Sequence, residues 1–126
     1  MPNLNQFHQQ SYLNLETFRQ DGRGVKTPLW FVEKDGVLYM RTPMNTWKVK
    51  RIRRNPSVRV APSDFQGQPK GAWLDGVAEV MPAAEAAWVN EAFKRKYGLS
   101  KRLIDLGNRL RGRDDAYFAV IAVRCL

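Results

Sequence analysis

The stretch LETFRQDGRGVKTPLWFVEKDGVLYMRT, residues 15–42, decides the fold. Its first part belongs to YLNLETF (12–18), where apolar and polar residues alternate as in a half-buried strand. The turn Arg19–Gly24 follows, and its glycines supply the positive φ that a tight connection needs. VKTPLWFVE (25–33) reads as a second strand. Pro28 has no N–H to give a ladder, so it belongs at an edge, a bulge or an interruption of pairing. Lys34-Asp35-Gly36 is a hairpin turn into VLYMRT (37–42). Three strands in this order are expected to form a meander.

Working outward, Asn45 or Thr46 can cap a helix whose inner face carries Val49 and Ile52, and Asn55-Pro56 stops it. SVRVAP (57–62) and AWLDGVAEVM (72–81) read as further strands. Pro82 opens a helix over residues 83–96 with the apolar stripe Ala86, Val89, Phe93 and Tyr97. A weaker helix is expected over 100–110, and YFAVIAVRCL (117–126) is the last strand. The expectation is therefore one domain over residues 1–126, mainly β with inserted helices. Its six antiparallel strands would form a sheet closed or nearly closed on itself. Alternation is loose in VLYM and YFAVIAV, which implies burial on both faces, the second supplied by a dimer interface.

Composition narrows the function. Apolar residues make up 44% and charged residues 26% of 126 residues, as in a soluble globular domain. No apolar run approaches the roughly 20 residues of a membrane span, so no membrane partner is expected. The start MPNLNQFHQQ lacks the features of a secretory signal, and the single Cys125 suits a cytoplasmic setting. One His and one Cys leave no basis for a zinc site. No Ser-His-Asp set and no carboxylate pair is visible, which argues against hydrolysis. The net charge of +9 calls for an acidic partner. Between Asp35 and Asp64 stand seven cations and no acid: Arg41, Lys48, Lys50, Arg51, Arg53, Arg54 and Arg59.

Those cations gather where a strand end meets a helix start. Free N–H groups of a first helical turn and the helix dipole favour an anion there. Thr42 and Thr46 add hydroxyls. Lys48 lies in the first turn, and Arg51 follows one turn on. Cations at that helix end cost roughly 0.3–1 kcal/mol each, a conflict that a bound anion would reverse. A basic helix with a solvated face is the bland alternative.

Four stretches together resemble the pyridoxamine 5′-phosphate oxidase-like split-barrel family, in particular its small deazaflavin- or flavin-dependent branch. They are residues 15–36, VLYMRT (37–42), KVKRIRRNPSVRVAP (48–62) and GQPKGAWLDGVAEV (67–80). The resemblance implies a six-stranded FMN-binding split barrel, a homodimer with its cofactor cleft between subunits, and FMN or coenzyme F-420 as cofactor. It implies that Thr42 and Lys48 hold the cofactor phosphate, with Lys50 and Arg51 as weaker candidates and Arg41 near the ribityl or phosphate region. It implies that the backbone of Lys26, Thr27, Pro28, Leu29 and Trp30 lies along the ring edge. Trp47 stands where oxidase-type members carry a cation, so oxidase activity itself is not implied. The reaction expected is two-electron transfer between the cofactor and a small organic substrate, with no side chain nominated as acid or base.

Plainer roles stand beside these. Trp30, Phe31 and Trp73 read as core or interface aromatics, and Trp88 as a packing residue. Lys94, Arg95, Lys96, Lys101 and Arg102 read as a solvated face, His8 as exposed, and Cys125 as a residue without redox role. Two other functions are weighed: a flavin-, deazaflavin- or haem-binding protein of this fold without turnover, and a basic barrel that binds nucleic acid.

Overall fold

The computed structural model describes residues 3–113 and 117–126. Seven strands form one antiparallel sheet: β1 (Tyr12–Phe18), β2 (Gly24–Leu29), β3 (Phe31–Lys34), β4 (Val37–Pro43), β5 (Ser57–Ser63), β6 (Leu74–Pro82) and β7 (Phe118–Cys125). Helix α1 (Trp47–Arg54) follows β4. Helix α2 (Ala87–Leu110) follows a 3-10 turn at Ala83–Ala86.

The strand order is β2-β1-β5-β6-β7-β4-β3. This corrects two expectations. There are seven strands and not six, because the 25–33 run breaks at Trp30. The first strands also do not form a meander. β2 pairs with β1 and β3 with β4, but β2 and β3 are opposite edges of the sheet. Only Trp30 separates them in sequence. One residue spans a few ångströms, so the two edges must approach each other at this corner. The sheet therefore curls, although no ladder joins β2 to β3 and the barrel is not closed. Pro28 sits on an edge strand, where its missing donor is tolerated.

Two apolar layers follow from the curl. The inner one gathers Leu13 and Leu15 of β1, Val58 and Val60 of β5, and Leu38 and Met40 of β4. Strands far apart in the sheet thus share one core, and Ile52 of α1 plugs it. The outer layer packs Val89 and Phe93 of α2 on Val32, Phe118 and Val120. This layer, supplied by the chain itself, accounts for the burial of β7 on both faces and corrects the expectation that a dimer interface does so.

Asp35 (φ 53°) and Gly36 (φ 77°) make the β3–β4 hairpin, as two adjacent left-handed residues do. Thr46 caps α1, its Oγ1 accepting from Val49 N–H at 3.5 Å. Gly98 (φ 55°, ψ −124°) interrupts α2, so the expected helices near 83–96 and 100–110 form two arms of one element.

Candidate functional site

The α1 cations come together with the β1–β2 turn. Arg19, Gln20, Trp47, Arg51 and Arg54 line a cleft of about 320 Å³. Arg51 Nε donates to Thr17 Oγ1 at 2.7 Å, and Arg54 Nη2 to the Phe18 carbonyl at 3.0 Å. These neutral acceptors fix the guanidinium groups without cancelling their charge. Among the described residues, no carboxylate is paired with Lys48, Arg51 or Arg54. Burial holds the Lys48 ammonium below the usual lysine range, and Arg51 adds to this. Arg51 is lowered likewise, by burial first and then by Arg19 and Arg54. The first turn of α1 holds no acid. Lys50 is exposed and lies over the Trp47 ring at 4.6 Å, and Trp47 is itself 71% exposed.

Thr42 stands elsewhere. It is 2% exposed and shares the inner face of β4 with Leu38 and Met40. Arg41 points to the opposite face, its guanidinium 3.9 Å from the centre of the Phe118 ring. The two neighbours therefore do not converge on one point.

The ring-strand candidates divide as well. Lys26 is exposed and lies over Trp73 at 5.2 Å, and Thr27 is half-buried. Pro28, Leu29 and Trp30 line a second cleft of about 330 Å³ with Arg41, Ile104 and Phe118. Asn14 is the register partner of Pro28. It is buried, its Nδ2 donates to the Gly67 carbonyl at 2.8 Å, and its Oδ1 has no partner among the described residues. The two clefts have no lining residue in common.

Trp30 stacks on Tyr97 with ring centres 4.1 Å apart and planes 4° from parallel, and Phe31 is buried in the inner core. Trp73 is no core residue, since it is half-buried between Lys26 and Arg59. Lys101 also departs from its expected solvated face, being buried against Asp105. Sequence reasoning missed Arg19 and Gln20, which reach α1 only through the hairpin. No local signal marks them. Arg54 lay in the basic run but was not singled out. Among the described residues no group of three or more His, Cys, Asp or Glu could hold a metal ion. Burial pushes the Cys125 thiol above the usual cysteine range.

Neither a protein-family model nor a curated protein sequence matches the chain. Solved structures do. A putative pyridoxamine 5′-phosphate oxidase from Listeria innocua superposes with a TM-score of 0.68 at 17% identity, over 97% of this chain and 89% of that one. The chain has the fold of the pyridoxamine 5′-phosphate oxidase-like proteins. An F-420 reductase of this fold is similar at a TM-score of 0.68 and 22% identity, over 100% of this chain and 96% of that one. A pyridoxamine 5′-phosphate oxidase-related, FMN-binding protein from Nostoc punctiforme gives 0.61 and 17%, over 91% and 70%.

Proposed function

We propose that this chain binds a flavin- or deazaflavin-type cofactor, FMN or coenzyme F-420, and acts as an oxidoreductase on a small organic substrate. The observation that carries this reading is the uncompensated cation group along α1, with Lys48 in its capped first turn, Arg51 and Arg54 in its last turn, and Arg19 joining them from the β1–β2 turn. Cations that lower one another's pKa are an arrangement that an anion relieves. A cofactor phosphate fits it. The fold supports the same reading, since relatives of this fold include an F-420 reductase and an FMN-binding protein.

Lys48 and Arg51 would hold the phosphate, with Lys50 at the rim. Thr42 would serve from within the barrel wall, so the reading rests on the cations. The open side of β2 offers backbone groups of residues 26–30 to a ring edge. The orphan Asn14 Oδ1 beneath Pro28 is an acceptor that lacks a donor. When bound, such a cofactor supplies two-electron hydride transfer. Arg41 and Phe118 then border the cleft in which a planar substrate would rest. The two clefts would be joined in a homodimer whose cofactor lies between subunits.

Coenzyme F-420 is the preferred candidate because its phosphodiester and glutamate tail carry more negative charge than FMN. The test is titration of the purified chain with each compound, followed by fluorescence. Saturable micromolar binding of one, lost in Lys48→Met, is expected. Absence of binding to both at 100-fold higher concentration rejects the reading. Binding without reduction of any acceptor would instead favour a sequestering role.

A further inference from the structure

Beyond Gly98, α2 is turned inside out. Lys101 is only 3% exposed, and its Nζ donates to both Asp105 carboxylate oxygens at 2.7 and 2.8 Å. Asp105 and Asn108 also face the protein, lining the cleft that holds Trp30 and Phe118, and Ile104, 50% exposed, stands at its edge. The leucines face the other way. Leu99, Leu103, Leu106 and Leu110 are 70, 64, 51 and 81% exposed. Their spacing of four, three and four places them on one narrow stripe of the helix. A helix that packs on a globular core buries such a stripe, so this one awaits a partner.

The charges around it say which. Arg102 and Arg109 are exposed and seven residues apart, so they border the stripe on one flank. Arg111 follows, and Lys94 and Arg95 are exposed on the turns before Gly98. Between residues 98 and 113 the one acid is Asp105, and it is committed to Lys101. We propose that the 99–110 arm lies flat on an anionic lipid bilayer, its leucines in the acyl boundary and Arg102 and Arg109 at the lipid phosphates. Apolar insertion combined with cation–phosphate attraction is how interfacial helices bind. Arginine stems also reach along apolar surface to place their charge at the headgroups.

A second copy of the chain fits less well. Two such arms would bring arginines together, and the one carboxylate among the described residues of the arm, Asp105, is already committed to Lys101. Four leucines also fall short of the roughly 800 Å² per partner that a stable interface buries. Among the described residues no helix is long and apolar enough to cross a membrane, which leaves surface attachment open. The proposal departs from the sequence expectation of no membrane partner, and it is independent of the cofactor reading.

Co-sedimentation of the full chain with lipid vesicles tests it. Vesicles of phosphatidylcholine with 30% phosphatidylglycerol should capture the chain, and pure phosphatidylcholine at least tenfold less. Leu103→Gln with Leu106→Gln keeps the net charge and should weaken capture about tenfold or more. Arg102→Gln with Arg109→Gln should weaken it about threefold to tenfold. All four side chains are exposed, so unchanged melting temperatures are expected and will verify folding. Failure of the wild type to bind anionic vesicles overturns the proposal. So does binding that the leucine variant leaves within twofold, which would reflect the +9 charge alone. A solution dimer that the leucine variant dissolves, without vesicle capture by the wild type, assigns the stripe to a second copy instead.

Discussion

The Tyr97 hydroxyl oxygen accepts a hydrogen bond from the backbone N–H of Phe31 at 2.9 Å. The same hydroxyl is 2.9 Å from the carbonyls of Ser11 and Phe31, to either of which it can donate its one proton. Lys96 Nζ donates to the Phe31 carbonyl at 2.8 Å, and the Tyr97 ring lies flat on Trp30. One residue of α2 therefore pins the corner at which the two sheet edges meet. Removing the hydroxyl in Tyr97→Phe leaves the Phe31 N–H without its acceptor, at a cost of about 1–3 kcal/mol. Urea denaturation would read this as a lower midpoint with an unchanged slope.

The same hydroxyl predicts an alkaline limit. Burial raises the Tyr97 pKa above its ordinary value of 10, outweighing its hydrogen bond to Phe31. The folded state thus keeps a proton that the unfolded chain gives up. The stability linked to this group is full below pH 10 and is lost as pH climbs beyond it. Melting temperatures measured from pH 9 to 11 should fall more steeply for the wild type than for Tyr97→Phe. Parallel curves would contradict the assignment.

Lys48 should separate binding from stability. Its charge is half-buried, lowered in pKa and pushed by Arg51, so it burdens the empty protein. Lys48→Met should leave the melting temperature unchanged or raise it, by up to about 1 kcal/mol of stability, while weakening a phosphate-bearing cofactor about tenfold or more. Arg51→Ala should weaken both, because it also removes the bond to Thr17. Calorimetric titration beside thermal melts distinguishes the two patterns. Binding at alkaline pH should also take up protons, since burial and Arg51 lower the Lys48 pKa and a bound anion raises it again.

Gly76 makes a packing test. A Cβ placed on it would lie 2.8 Å from Val123 Cγ1 and 3.0 Å from the Arg124 carbonyl oxygen. The second neighbour is backbone in the paired strand β7 and cannot turn aside. Gly76→Ala should cost about 1–3 kcal/mol by overpacking. A stability equal to wild type would show that β6 and β7 can slide apart.

Asp105 anchors the second arm of α2. Asp105→Asn would leave the buried Lys101 ammonium without its countercharge, and about 3 kcal/mol of local stability should be lost. Hydrogen exchange should quicken over residues 99–110 and stay slow in β7. Lys101→Met together with Asp105→Leu should restore much of the protection.

Strand positions were readable as short runs of strand-forming residues, most of them closed by Gly, Pro or Asp, with clear alternation in YLNLETF and little in VLYM and YFAVIAV. The helix cap at Thr46 and the inward stripe of Val49 and Ile52 were equally local features. The break at Trp30 was not. VKTPLWFVE is continuous in strand-forming residues, and the change of partner from β1 to β4 comes from the curl of the sheet. The second burial of β7 was legible as lost alternation, but its origin in α2 was not. At the candidate site, the charge of the 48–54 helix stood in the sequence. The arrival of Arg19, and the opposed faces of Arg41 and Thr42, depended on tertiary packing and on strand phase.

The place of β7 has a consequence for synthesis. This strand lies between β6 and β4, yet both are made long before it. Until it emerges, the nascent chain holds two separate pieces, β2-β1-β5-β6 and β4-β3, with one apolar edge bare on each. Those edges are templates for mispairing with other chains. A chain made only as far as Tyr117 would therefore display both unpaired edges, and pairing of β7 with β6 and β4 is the event that joins the two pieces into one sheet.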